Sequence, residues 1–244
     1  MREDTRFQLT QAGVSASRVF PFYVVCDVSR SMWDPAWTNQ KITPLETVEQ
    51  ALPDMLNVLE EDPTTYDTAH LSVVAFGDSA VAVLPLTPLR IDPSIPALPR
   101  QGATDYADVF RYLDRQLRSD HKRFASARLD TYTPVIFFLT DGNPQVRGKF
   151  QPDEVWVPVR AGLEAPGHPF RPVVVALGIG DVREETVRQL RSRNPVGVAC
   201  VAQGSVAPGD LLRAIINSIK FSISSSVGQG RFLFRTPLGM RELD

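Results

Sequence analysis

Phe20 to Met32 reads FPFYVVCDVSRSM, and its composition sets the architecture. Phe20 to Cys26 is uncharged and dominated by aromatic and β-branched side chains, the composition of a buried strand. A near-continuous apolar run of this kind belongs to a sheet covered on both faces, which implies parallel strands between two layers of helices. The strand then breaks into Asp27-Val28-Ser29-Arg30-Ser31, a D-x-S-x-S turn that carries one carboxylate and two hydroxyls off its carboxyl end.

Beyond it, five more runs have strand character: Leu71 to Phe76, Val81 to Leu86, Pro134 to Leu139, Val173 to Leu177 and Val198 to Ala202. Only Gly77 to Ala80 separates the first two, too little for a parallel crossover, so Val81 to Leu86 is expected as an antiparallel edge strand. Helical periodicity fills the gaps at Thr43 to Glu60, Tyr106 to Leu117, Val155 to Glu164, Arg183 to Arg191 and Pro208 to Phe221. Pro53 removes a backbone donor and is expected to kink or split the first of these. The alternation predicts a doubly wound, Rossmann-like α/β domain with a six-stranded, mainly parallel sheet, one antiparallel edge strand and helices on both faces. Residues 18–222 are assigned to this domain, 1–17 to an N-terminal extension and 223–244 to a C-terminal tail. Two segments read as irregular: the proline-rich link Pro85 to Pro99, and the start of the tail at Ser222, where SISSSVGQGRF has a flexible composition.

A chain of 244 residues with 43% hydrophobic content has enough apolar surface for one large core. With 26 basic and 28 acidic residues the net charge is -2, so no global field favours nucleic acid or an anionic membrane. No apolar run approaches the ~20 residues of a membrane-spanning helix. The N-terminus lacks an apolar run of signal-peptide type, and a cytoplasmic location is expected. Cys26 and Cys200 both fall in strand-like runs and are expected as buried, reduced thiols.

The chemistry gathers where strands end. In a doubly wound sheet, ligands sit beyond the carboxyl ends of the strands, at the point where the winding reverses. Asp27, Ser29 and Ser31 leave the first strand there, and Asp141 succeeds the fourth strand in Leu139-Thr140-Asp141-Gly142-Asn143-Pro144. Gln101-Gly102-Ala103-Thr104-Asp105 precedes the intervening helix, with Thr104 adding a third hydroxyl and Gly102 expected to permit a close approach. Two carboxylates and three hydroxyls suit a hard cation, Mg²⁺ first, at ~2.0 to 2.1 Å, with Mn²⁺ or Ca²⁺ as alternatives. Were the neutral hydroxyls to contact the metal, with the carboxylates acting through water, the cation would stay electrophilic and take an outside carboxylate.

These residues resemble the von Willebrand factor A domains, whose metal-ion-dependent adhesion site has D-x-S-x-S, then T, then D; Asp27, Ser29, Ser31, Thr104 and Asp141 match it in order. The layout from about Arg18 to Ser222 is similar too. Arg30 departs from the pattern, since the family most often has glycine there; a cation at this place is expected to alter affinity, by narrowing access, repelling a second metal or reading an acidic partner. The runs Pro21 to Val25, Leu71 to Phe76, Leu84 to Thr87 and Thr140 to Pro144 are similar to those of bacterial stand-alone TerY-like, tellurium-resistance-associated members. The resemblance implies a non-enzymatic, Mg²⁺-dependent module, with no catalytic residue and no nucleic-acid or membrane partner, that binds a protein through its Asp or Glu. It further implies an intracellular adaptor of a stress-response or defence system.

The rival is an Mg²⁺-dependent phosphoryl-transfer or hydrolase enzyme with Asp27 as nucleophile. Against it, Ser29 stands where the second carboxylate of an aspartate phosphotransferase pair is needed, and no phosphate loop or nucleophile elbow is present. A scaffold with a vestigial site, acting through its tail, is a third reading. Asp105 is expected to cap a helix and Asp34 to start a turn. Met32, Trp33 and Trp37 are read either as an apolar rim for a partner or as core. His70, His121 and His168 pair with no nucleophile, and the basic run Arg118 to Arg123 is expected as a solvated loop, with Arg188, Arg191 and Arg193 on a solvated helix face.

Overall fold

The first strand, β1 (Arg18–Asp27), is buried from Val19 onward on both faces. The computed structural model describes residues 18–35, 42–193, 196–204 and 206–244. Alternation along β1 sends Phe20, Phe22, Val24 and Cys26 into one apolar layer and Val19, Tyr23 and Val25 into the other. Pro21, which has no donor, lies where one neighbour's ladder has ended at Val19 and the next has not begun until Phe22.

Around β1 the chain forms α1 (Arg30–Trp33), α2 (Pro44–Glu60), α3 (Pro63–Thr68), β2 (Ala69–Phe76), β3 (Ala80–Pro88) and, after a 3₁₀ turn at Leu89–Ile91, α4 (Tyr106–Ser126). Next come β4 (Asp130–Thr131), β5 (Val135–Thr140), β6 (Gln145–Val146), β7 (Lys149–Phe150), α5 (Asp153–Gly162), β8 (Val173–Gly178), α6 (Glu184–Leu190), β9 (Val198–Ala202), α7 (Pro208–Gln229) and β10 (Met240–Glu242). The main sheet runs β10-β9-β8-β5-β1-β2-β3, with β4 also on β1. Its inner pairs are parallel, and β3 and β10 are antiparallel at the two edges. Apolar residues of α2 and α7 pack on one face, and those of α4, α5 and α6 on the other. No helix among the described residues is long and apolar enough to cross a membrane.

The doubly wound α/β architecture is the one expected, and the six expected strands are all present, joined by β4 and by a second antiparallel edge, β10. Several expectations need correction. Pro53 does not split α2, because the helix is pinned by buried Leu52, Met55, Leu56 and Leu59 on one side while Pro53 faces solvent. The basic run Arg118 to Arg123 is helical, the last turns of α4 being anchored by buried Asp120 and Phe124. The last helix continues past Phe221 to Gln229, and its buried serines, Ser218, Ser222 and Ser226, are partnered rather than loose. Ser222 donates to the Ser218 carbonyl at 2.7 Å, while Ser226 Oγ accepts from the Leu233 amide at 2.8 Å. Cys26 and Cys200 are free and buried, and burial pushes both thiols up to about 12.

Candidate metal centre

The winding reverses between β1 and β5, which are adjacent although the chain visits β2 and β3 between them. Register brings Cys26 opposite Leu139, so Asp27 and Thr140 come level at the carboxyl ends of the strands. Asp27 is fully buried. Its Oδ1 accepts the Ser29 amide at 2.9 Å, which sets the turn, and its Oδ2 accepts the Thr140 hydroxyl at 2.7 Å. Ser29 caps α1 by position, leaving its hydroxyl 3.3 Å from that of Ser31, and Ser31 donates to Asp141 Oδ1 at 2.8 Å.

Thr104 arrives on a loop held from three sides. Gln101 donates its amide to the Val28 carbonyl at 2.9 Å, Asp105 to the Gly77 carbonyl at 2.8 Å, and Thr104 exchanges backbone bonds with Gln145 at 2.9 and 3.0 Å. The close approach expected at Gly102 falls instead at Gly77, where a Cβ would lie 2.6 Å from that of Gln101; at Gly102 the nearest atom would be 3.5 Å away. Asp105 caps α4 through the Asp108 amide at 2.9 Å, as expected. A Cβ placed on Gly142 would lie 3.9 Å from Thr104 Oγ1, so the Thr104 hydroxyl faces the turn that carries Asp141.

All five sequence-predicted residues therefore gather at one end of the sheet. Ser31, Thr104 and Asp141 line a cleft of about 470 Å³ together with Pro44, Phe150, Ile179, Asp181 and Pro208, while Asp27 and Ser29 lie buried behind them. Burial raises the Asp27 carboxyl to about 6 against the opposing hydrogen bonds of Ser29 and Thr140. Asp141 rises to about 7, first through burial and then through the Asp27 charge. The Asp27 charge that helps to raise Asp141 is one that a cation held between them would offset. No group of three or more His, Cys, Asp or Glu side chains gathers among the described residues, which leaves an oxygen set of two carboxylates and three hydroxyls.

Arg30 turns away from the cleft to pair with Asp34 at 2.8 Å. Met32 is core, and Trp33 is half-buried with its indole donating to the Gln101 carbonyl at 2.8 Å, so neither forms an open apolar rim; Trp37 lies outside the described residues. Two residues the sequence did not single out complete the frame. Thr140 bridges Asp27 to Tyr106, whose hydroxyl reaches Thr140 Oγ1 at 3.1 Å and the Gly142 carbonyl at 2.8 Å. Position beside Asp141 is the only signal in the sequence for Thr140; for Tyr106 there is none.

No family model matches the sequence, and no curated protein does. Solved structures do share the fold. Proximal thread matrix protein 1 from the mussel byssus is 16% identical over 86% of this chain and 49% of its own, with a TM-score of 0.53. A von Willebrand factor type A protein from Catenulispora acidiphila is 16% identical over 84% of this chain and 43% of its own, at 0.52. The pilus adhesin SpaC from Lactobacillus rhamnosus GG is 14% identical over 84% of this chain and 30% of its own, at 0.59. The chain thus spans half or less of the length of these proteins, and the likeness is one of fold, the von Willebrand factor A type.

Proposed function

We propose that this von Willebrand factor A-type fold serves a metal-dependent protein-interaction module, with Asp27, Ser29, Ser31, Thr104 and Asp141 as the residues that hold one divalent cation, Mg²⁺ first. The observation that carries the reading is the donor set itself: three hydroxyl-bearing residues between one buried carboxylate, Asp27, and one half-buried carboxylate, Asp141, on an open cleft at the switch point of the sheet. A hard cation fits these oxygens, and when bound it would supply a Lewis-acidic position for an Asp or Glu of a protein partner. Arg30, engaged with Asp34, leaves that approach free. The finer assignment, a cytoplasmic bacterial adaptor in a stress-response or defence system of the tellurium-resistance kind, rests on the resemblance to TerY-like proteins.

Asp27 is poorly suited to nucleophilic attack. It is fully buried, both its oxygens accept hydrogen bonds, and Ser29 stands where an acid-base carboxylate is required. Calorimetric titration with Mg²⁺, Mn²⁺ and Ca²⁺ tests the site, and Ser31→Ala, a milder change than Asp27→Ala, is expected to weaken binding at least about tenfold. Proteins captured from the native host are expected to be released by EDTA; capture that is equal with and without EDTA would sink the reading.

A further inference from the structure

The short ribbon β6–β7 stands on the rim of the metal cleft. Its base is fixed there: Gln145 is bonded to Thr104 through both backbone groups, and Gln151 donates to the Asp105 carboxylate at 2.8 Å and to the Pro144 carbonyl through its amide at 2.9 Å. Its tip is the two-residue turn Arg147-Gly148, with φ of 53° and 71°. Such a turn needs left-handed backbone at both central positions and ordinarily takes Asn-Gly, because a Cβ-bearing residue is strained there. The position that favours asparagine instead carries an arginine.

That arginine belongs to a basic edge. Arg147 and Lys149 are exposed, and neither side chain has a hydrogen bond or ion pair to another described residue. Next to them Phe150, 46% exposed, lines the cleft, and the Arg183 guanidinium lies 4.3 Å from the centre of its ring while its Nε donates to Asn143 at 3.2 Å. Of the acidic groups on this rim, Asp141 belongs to the candidate metal set and Asp181 lines the cleft.

We infer that the β6–β7 ribbon, with Arg183, is the specificity element of the docking surface, and that it selects a partner segment in which the metal-seeking carboxylate is followed by further acidic residues. This inference rests on the proposed metal-dependent reading. The chemistry favours a peptide over a nucleic acid. The cations flank a site whose open position takes a carboxylate, the patch is small, and the chain as a whole carries a net charge of -2.

The test uses the full chain with Mg²⁺ and two labelled peptides, decaglutamate and a peptide of nine glutamines with one central glutamate, read by fluorescence anisotropy at low and high salt. The variant is Arg147→Asn with Lys149→Gln, which suits the turn and leaves every proposed metal ligand in place. Ten carboxylates against one already give about tenfold by number, so wild-type protein is expected to prefer decaglutamate by roughly a hundredfold at low salt and the variant by no more than about that statistical tenfold, with Mg²⁺ affinity by calorimetry unchanged. A variant that keeps the wild-type preference overturns the inference. So does tighter binding of oligothymidylate than of decaglutamate under the same conditions. Peptide binding indifferent to EDTA would remove the metal-dependent reading instead, which separates the two failures.

Discussion

Thr140 is not a proposed ligand, yet it decides how Asp27 is held. It donates 2.7 Å into Asp27 and accepts from Tyr106, so one hydroxyl orients the carboxylate and ties it to α4. Removing that hydroxyl in Thr140→Val keeps the shape and leaves the buried acid with one bond fewer. The expected result is a loss of Mg²⁺ affinity of roughly tenfold, read by calorimetry, and a fall in stability of about 1–2 kcal/mol, read by denaturant unfolding. His70 supplies a second residue-scale expectation. It is buried against the edge of Phe124, and burial, with the Arg123 and Arg90 charges adding to it, lowers its imidazole to about 4 from the ordinary 6.5. Because the folded value lies below the unfolded one, the stability that neutral His70 contributes is present above pH 6.5 and is lost as pH falls from there towards about 4. The His70→Phe protein should therefore show a shallower fall in melting temperature across that window than wild type; identical acid profiles would count against this account.

Among the elements, α7 shows how far local composition misleads. Ile223 and Val227 continue the apolar stripe of Leu212, Ile216 and Ile219, while Ser218, Ser222 and Ser226 repeat at four-residue intervals on a buried strip. Read alone, SISSSV looks like a linker, since serine competes with helix by bonding to nearby backbone. In the fold those hydroxyls are consumed: Ser222 bonds back to Ser218 within the helix, Ser218 bonds the Arg235 carbonyl, and Ser226 takes both backbone groups of Leu233. The returning chain, not the helix sequence, makes them suitable. Ser226→Ala is expected to lose about 1–2 kcal/mol and to raise amide exchange at Leu233 well above that of the α7 interior. The ribbon β6–β7 likewise escapes a reading of the sequence, because Arg147 disguises a turn that asparagine would have announced.

For the whole molecule, position in the sheet is what turns scattered residues into a site. Ser31 and Asp141 are 110 residues apart in the chain and share a hydrogen bond because the chain returns to lay β5 on the open side of β1. The edges carry the other consequence of the topology. Pro85 and Pro88 fall on β3, an edge where the missing donors are tolerated. The opposite edge, β9, is covered by β10, with the Arg191 guanidinium donating to the Leu243 carbonyl at 3.0 Å. Apolar periodicity is enough for the layers and the six principal strands, the four-residue connection Gly77 to Ala80 for the antiparallel β3 edge, and the residues just past each strand for the types of donor at the strand ends. All of these signals are local. Folding in three dimensions settles the rest: which hydroxyl faces which carboxylate, that Arg30 turns aside to Asp34, that Thr140 and Tyr106 frame Asp27, and that the serine-rich end of α7 is buried. Each of these depends on a partner distant in sequence or on a side-chain direction, and neither leaves a trace in spacing or composition.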